Sequence, residues 1–403
     1  GWEGIWIGSK ADNCYFRYCE FKEATKDKNS TYSVNSTYAG GALYIQQTTE
    51  KVLVFHCKFH TNKASAGGAV AVNSTDNSGI EFRYCEFYEN HATDGGAMYF
   101  YNADDITLLS NEFYLDTADN KGGALCFKAY SADNELINNL IYENDADKGG
   151  GIYVDLDELD QYNRTRIKIY NNTIADNTAS TSGGGCYYEN DDINNYPVFM
   201  NDIIYSNSND QVEPDPDNRN DHYENCCIEG ITTWDDNINS DPKFVDKNND
   251  DYRISNDDNS PCIDVGNNSA VSGIDYDYRG SEYDRIVDAY GVVGDDVDMG
   301  CFEYEHESQN DEHYKNASNT DLPMEHQVFP NPADDRLYVK VYDSNTIYIV
   351  LLIDLSGNII KRLKYCVRDN GILSINLDNI IPGIYYLVIN SSDGNIRKKI
   401  FKR

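Results

Sequence analysis

From about residue 40 to residue 213 the chain consists of short runs in which apolar and polar positions alternate, separated by polar turns. Six of these runs open on a glycine pair and a small residue. They are Gly40-Gly41-Ala42-Leu43-Tyr44, Gly67-Gly68-Ala69-Val70, Gly95-Gly96-Ala97-Met98-Tyr99, Gly122-Gly123-Ala124-Leu125, Gly149-Gly150-Gly151-Ile152-Tyr153 and Gly183-Gly184-Gly185-Cys186-Tyr187, at spacings of 27, 28, 27, 27 and 34 residues. A second run recurs within each period. It reads Cys57-Lys58-Phe59-His60-Thr61-Asn62, then Cys85 to Asn90, Asn111 to Asp116, Asn139 to Asn144, Asn172 to Asn177 and, more loosely, Asp202 to Asn207. Strand side chains alternate faces, so the Cys/Asn position and the Phe/Ile position two later share a face. Stacked, they predict an inner ladder of Phe21, Phe59, Phe87, Phe113, Ile141, Ile174 and Ile204. The Asn closing each run is expected at a turn, with its amide bonded to backbone groups. The glycines are expected where the chain enters the next strand and a Cβ would clash.

Two strands and a turn per period, with no helical periodicity, predict a solenoid. The fold class is all-β: a right-handed parallel β-helix over residues 1–239, of about eight rungs at about 4.8 Å each. Gly1 to Ala24 fits an earlier rung with a degenerate motif. No signal-peptide pattern precedes it, so the chain is expected to begin inside a domain. Residues 240–305 change character, with Asp241-Pro242-Lys243-Phe244, Ser260-Pro261-Cys262-Ile263 and Met299-Gly300-Cys301-Phe302. A solenoid needs its last rung covered, so this segment is expected to cap it. Residues 306–325 are polar and acidic, a linker. Residues 326–403 return to short alternating strands with regularly spaced turn residues, which predict a small immunoglobulin-like β-sandwich.

Charge narrows the partners. The chain has 33 Lys+Arg against 68 Asp+Glu, a formal net charge of −35. Such a field repels nucleic acid and anionic lipid. No apolar run is long enough for a transmembrane segment.

The pairing of Gly-Gly-Ala with Phe-x-x-Asn resembles the polymorphic outer-membrane protein repeat, over about residues 35–210. Residues 240–305 look like the closing segment of secreted bacterial β-helix proteins of the choice-of-anchor type. The tail resembles the type A C-terminal sorting domain of the type IX secretion system. Four features carry that resemblance: the Pro330-Asn331-Pro332 opening, the turn at Gly357, the strand opening at Gly383 and the basic end around Lys398 and Lys399. It implies a Bacteroidota protein exported to the cell surface or released, with a translocon and a shuttle protein as partners.

In the predicted register Trp6, Tyr44, Tyr99, Tyr153 and Tyr187 share one outer face, interrupted by Ala71 and Cys126. Rings spaced in this way suit stacking on successive sugars of a glycan. They equally suit plain cross-strand stacking. Polysaccharide lyases and pectinases also use the resembled fold. Arg166-Ile167-Lys168 resembles one short pectinase motif and Asp191-Asp192 another, although no His is flanked by glycines as that family requires. Arg166 and Lys168 are therefore the catalytic alternative, acting as base beside Ca²⁺-holding carboxylates. No cofactor is required by the main reading. Ca²⁺ has candidates in Asp246, Asn248 and Asp250, or between Asp215 and Asp221, where turns crowd oxygen ligands. The seven His show no metal-ligand spacing. Eleven Cys leave at least one unpaired unless a bond forms between chains. Cys262 and Cys301 occupy closing-segment positions where the resembled family carries small residues, and an extracellular disulfide between them is expected.

These readings converge on an exported binding or adhesion protein directed at a glycan or a neighbouring surface. The alternatives are a calcium-dependent polysaccharide lyase and a structural stalk or filament subunit. A groove holding a basic residue beside carboxylates favours the lyase. An exposed aromatic ladder favours the adhesin.

Overall fold

The computed structural model describes residues 2–8, 11, 13–26, 40–46, 51–73, 79–128, 134–155, 167–189, 197–213, 222–231, 236–255, 260–272, 274, 276–280, 296–304, 327–329, 336–341, 347–354, 359–366, 371–377, 380–381, 383–391 and 394–402. The chain divides into two compact units, Gly1–His306 and Glu307–Arg403.

Among the described residues, the first unit is a parallel β-solenoid with three eight-stranded sheets and one four-stranded sheet, and Phe244–Asp246 pairs antiparallel with Asp251–Ile254. The first sheet runs from Ile5–Ile7 through Leu43–Gln46, Val70–Asn73, Met98–Tyr101, Leu125–Lys128, Ile152–Asp155 and Cys186–Tyr188 to Val212–Glu213. The second sheet runs from Cys14–Arg17 to Tyr223–Glu224, and the third from Glu20–Lys22 to Cys227–Ile228. The shorter fourth sheet stacks His91–Asp94, Thr117–Lys121, Asp145–Lys148 and Thr178–Ser182.

Each rung bends at backbone positions in the left-handed region. Between the second and third sheets these are Tyr18, His56, Tyr84, Ser110, Asn138, Asn171, Asn201 and Asn225, all with φ between 50° and 58°. Between the fourth and first sheets the bend falls on the first glycine of each pair, as at Gly122 with φ 68°. The second glycine has a different role. A Cβ on Gly123 would lie 2.1 Å from the carbonyl oxygen of Gly150 one rung on, so that position must be bare for rungs to stack.

The predicted inner ladder forms in register from Phe21 to Ile204. Phe21, Phe59, Phe87 and Phe113 stack face to face at centroid spacings of 4.7, 4.8 and 4.7 Å. Buried residues of the first and second sheets, such as Leu125, Phe127, Val54 and Phe82, complete the core.

Two buried amide ladders run along the solenoid inside this apolar packing. At the end of the third-sheet strands stand Asn62, Asn90, Asp116, Asn144, Asn177 and Asn207. The Asn144 amide donates to the Phe113 carbonyl at 3.0 Å and to Asn177 Oδ1 at 2.9 Å, while its own Oδ1 accepts from the Asp116 N–H at 3.0 Å. Asn90, Asn62 and Asn177 repeat this pattern. The second ladder precedes the third-sheet strands: Asn111 donates to Asn139, Asn139 to Asn172 and Asn172 to Asp202. In the earlier rungs its place is taken by Cys19, Cys57 and Cys85. The Cys57 thiol is pulled down to about 7, chiefly because the Cys85 thiol donates to it, with burial opposing. Turn-facing amides follow from the sequence pattern. Their linkage to one another does not, because register decides it.

Asp116 is the irregular member of its ladder. The N–H and Nδ2 of Asn90 both donate to its Oδ1, at 2.8 and 2.9 Å, but its Oδ2 is buried without a partner. In neighbouring rungs the equivalent atom is an amide nitrogen that donates. Burial pushes the Asp116 carboxyl well above the usual carboxylate range, against the Asn90 donors. The ladder therefore favours the neutral acid, whose O–H replaces the missing donor.

The described parts of residues 240–304 pack along the outer face of the third sheet rather than across the last rung. Tyr252, Cys301 and Phe302 cluster with Leu140, Tyr142 and Ala175, and Ile254, Cys262 and Met299 cluster with Ile203 and Cys227. The reason is written in that face, where the charged column Glu20, Lys58, Glu86 and Glu112 gives way to Leu140, Thr173, Ile203 and Cys227. The last rung is closed by a shorter stretch: Asn237 accepts from the Cys226 N–H at 2.7 Å and donates to the Tyr223 carbonyl at 3.0 Å.

Among the described residues, the second unit holds seven antiparallel strands in two sheets. Gln327–Phe329, Arg336–Val341 and Gly371–Asn376 form one; Ile359–Cys366, Ile347–Asp354, Gly383–Ser391 and Gly394–Lys402 form the other. Leu337, Ile375, Val350, Leu352, Leu387 and Ile400 are buried. The Tyr385 hydroxyl donates to the Ile381 carbonyl at 2.6 Å, fixing the entry to the strand that Gly383 opens.

Candidate functional site

The expected aromatic column exists as a register. Trp6 aligns with Tyr44, Tyr44 and Tyr99 with Ala71, Tyr99 and Tyr153 with Cys126, and Tyr153 with Tyr187, all pointing away from the core. The expected exposure is absent. Tyr44, Tyr99 and Tyr153 are buried and Tyr187 is half-buried, while Trp6 alone of the five is open, at 60%. Rings on adjacent strands cover one another: those of Tyr153 and Tyr187 lie 5.5 Å apart and within 3° of parallel. Side chains from the fourth-sheet edge cover them further, with Lys121 Nζ 4.5 Å from the Tyr153 ring centre and Lys148 Nζ 4.5 Å from that of Tyr187. A sugar needs an open ring face, and Tyr44, Tyr99 and Tyr153 do not offer one.

A polar layer lies over these rings. Lys121 and Lys148 each stand immediately before a corner glycine, and Lys128, Asp155 and Glu189 each stand two residues beyond the tyrosine column. Lys121 Nζ is 3.4 Å from Glu189 and 3.9 Å from Asp155, and Lys128 Nζ is 3.5 Å from Asp155. The Tyr153 hydroxyl donates to Glu189 at 2.6 Å, and Lys148 donates to the Tyr187 hydroxyl at 3.1 Å. The Tyr153 bond, with Lys121 nearby, holds the Glu189 carboxyl below its usual value, burial opposing. Burial raises the Asp94 carboxyl, which Lys128 and Lys121 offset only in part. The result is a partly exposed strip of alternating cations and carboxylates at ion-pair separations. Sequence reading missed it because the lysines and carboxylates are spread over about seventy residues and meet only through the rung register.

A second ring column, also unread, runs down the outer face of the third sheet. His60, Tyr88, Tyr114 and Tyr142 stack at 4.6, 5.0 and 5.3 Å, ending against Tyr252 of the closing segment. Its signal was present as the residue after each inner Phe or Ile.

Other expected residues fall elsewhere. Lys168 lies on the second sheet, 2.6 Å from Glu135, away from the first-sheet strip. Arg166, Asp191, Asp192 and the stretch Asp215 to Asp221 lie outside the described residues, as do Pro330, Asn331, Pro332 and Gly357. Lys398 and Lys399 lie in the final strand. Asp246, Asn248 and Asp250 are exposed around the turn Lys247–Asn249, where Asp246 accepts from the Asn249 amide at 2.7 Å. Among the described residues no group of three or more His, Cys, Asp or Glu is placed to hold a metal ion. No described helix is long and apolar enough to cross a membrane.

The expected Cys262–Cys301 bridge is not formed: neither cysteine is in a disulfide. The Met299 N–H bonds the Cys262 carbonyl at 3.0 Å, but the chain then turns at Gly300 with φ 88°, sending Cys301 into the neighbouring apolar cluster.

Residues 327–403 match the family model for the secretion system C-terminal sorting domain. No curated protein and no solved structure matches the chain. The sorting domain marks the protein for export by type IX secretion to the cell surface or the extracellular space.

Proposed function

We propose that the exported solenoid is a binding or adhesion protein that contacts neutral, hydroxyl-rich glycan chains through the strip of Lys121, Lys128, Asp155 and Glu189. The observation that carries this reading is the alternation of ammonium and carboxylate groups at 3.4–3.9 Å over a rigid floor of stacked tyrosines. Vicinal hydroxyls donate and accept together, so a row of paired donors and acceptors on a stiff sheet matches them without large ordering cost. The formal net charge of −35 disfavours acidic polysaccharides.

The lyase reading is weaker. The strip does hold a basic residue beside carboxylates. However, Lys121 is already engaged by two carboxylates, Glu189 at 3.4 Å and Asp155 at 3.9 Å.

A glycan array probed with the full chain tests the proposal, with Ca²⁺ present in one arm and absent in the other. Signal on neutral glycans is expected in both. It should fall by about tenfold or more in Lys121→Met and Asp155→Asn, since each loses charged hydrogen bonds to the ligand. Melting should change little, because exposed ion pairs contribute about 0–1 kcal/mol. Equal signal in wild type and variants would sink the assignment of this strip.

A further inference from the structure

We infer that Cys227 and Cys262 are a disulfide site that fastens the closing segment to the end of the solenoid. Cys227 is the outward residue of the last third-sheet strand, Cys227–Ile228, whose Ile228 faces the core. Cys262 arrives from the closing segment at Ser260-Pro261-Cys262. Both are fully buried, in one cluster with Ile203, Ile254 and Met299, and the Cys227 thiol, which donates to the Ser240 carbonyl at 3.2 Å, adds to burial in raising that of Cys262. Unlike the in-register thiols of Cys19, Cys57 and Cys85, these two approach from separate elements across a packed interface. They are not held at the fixed offset of adjacent parallel strands, which suits the required torsion poorly.

The compartment supplies the driving force. A protein exported across the outer membrane passes through surroundings in which disulfides form and persist. The reaction needs a disulfide oxidant such as glutathione disulfide. One thiolate attacks a sulfur of the oxidant, releasing one glutathione thiol, and the second protein thiolate displaces the other. Two electrons pass to the oxidant and the two thiol protons are given up, leaving one protein S–S bond and two reduced glutathiones. Because both thiols are buried in the folded unit, the step belongs to folding, as the closing segment docks. The bridge would close a long loop and remove freedom from the unfolded chain.

The test is a peptide map of the full chain produced through an oxidising compartment, alkylated in denaturant without reductant and cut with trypsin. Cleavage after Arg219, Lys243, Arg253, Arg279, Arg285 and Lys315 places Cys226 and Cys227 on peptide 220–243, Cys262 on 254–279 and Cys301 on 286–315. The expected product is 220–243 joined to 254–279, lighter than their sum by two hydrogens and separated by reductant. The link should persist in Cys226→Ser and vanish in Cys227→Ser. Recovery of 220–243 doubly and 254–279 singly alkylated with no link, a link from 254–279 to 286–315, or loss of the link in Cys226→Ser with retention in Cys227→Ser would overturn the inference.

Discussion

Asn144→Ala is expected to lower the stability of the solenoid by about 4 kcal/mol, since each buried polar group left without a partner costs about 1–3 kcal/mol. The truncated side chain orphans the Asp116 N–H, which donates to Asn144 Oδ1, and takes the amide donors from the Phe113 carbonyl and Asn177 Oδ1. Asn144 is completely buried between the Phe113 and Ile174 rungs, so bulk solvent does not reach the freed groups. Calorimetric unfolding of the full chain measures the loss in the first unit's transition. Asn248→Ala, at an exposed turn, serves as the control and should move it by no more than about 0.5 kcal/mol. A loss below about 1 kcal/mol for Asn144→Ala would mean that the ladder forms without stabilising the fold.

Asp116→Asn is expected to act in the opposite direction, stabilising the unit by about 2 kcal/mol at neutral pH, within the range for satisfying a buried unpaired group. The sign follows from proton linkage. The native carboxyl is raised above the unfolded value near 3.8, so the folded state binds its proton more tightly. The stability contributed by the neutral acid is fully present below about pH 3.8 and is lost as pH rises through the folded value. The asparagine variant donates at every pH and has no such slope. Its advantage should be small in acid and widen with increasing pH. Melting curves from pH 4 to pH 8 provide the measurement, and a parallel pair of curves would show that Asp116 is ionised in the fold.

The alternation of strands, the glycine corners and the Phe/Ile ladder could be read from the chain because each depends on local spacing that repeats. Gly123 and Phe87 needed only the period. What could not be read depends on three-dimensional neighbours. Tyr153 points outward as its parity requires, yet Tyr187 and Lys121 cover it, and parity carries no information about coverage. The closing segment docks along the third sheet because Leu140, Ala175 and Ile203 make that flank apolar, a composition change spread over three rungs. The sorting domain was the most legible part, since its turn residues and strand openings recur in a fixed order near the C-terminus.

Equilibrium binding of the full chain to a neutral polysaccharide and to a polyuronate, each at low and high salt, tests the functional account most directly. The account predicts binding to the neutral polymer, shifting by less than about twofold with salt because hydrogen bonds rather than long-range charge hold it. It also predicts no appreciable binding to the polyuronate. Preferential binding to the polyuronate that weakens with salt, with unsaturated product accumulating, would contradict it and make the protein a lyase.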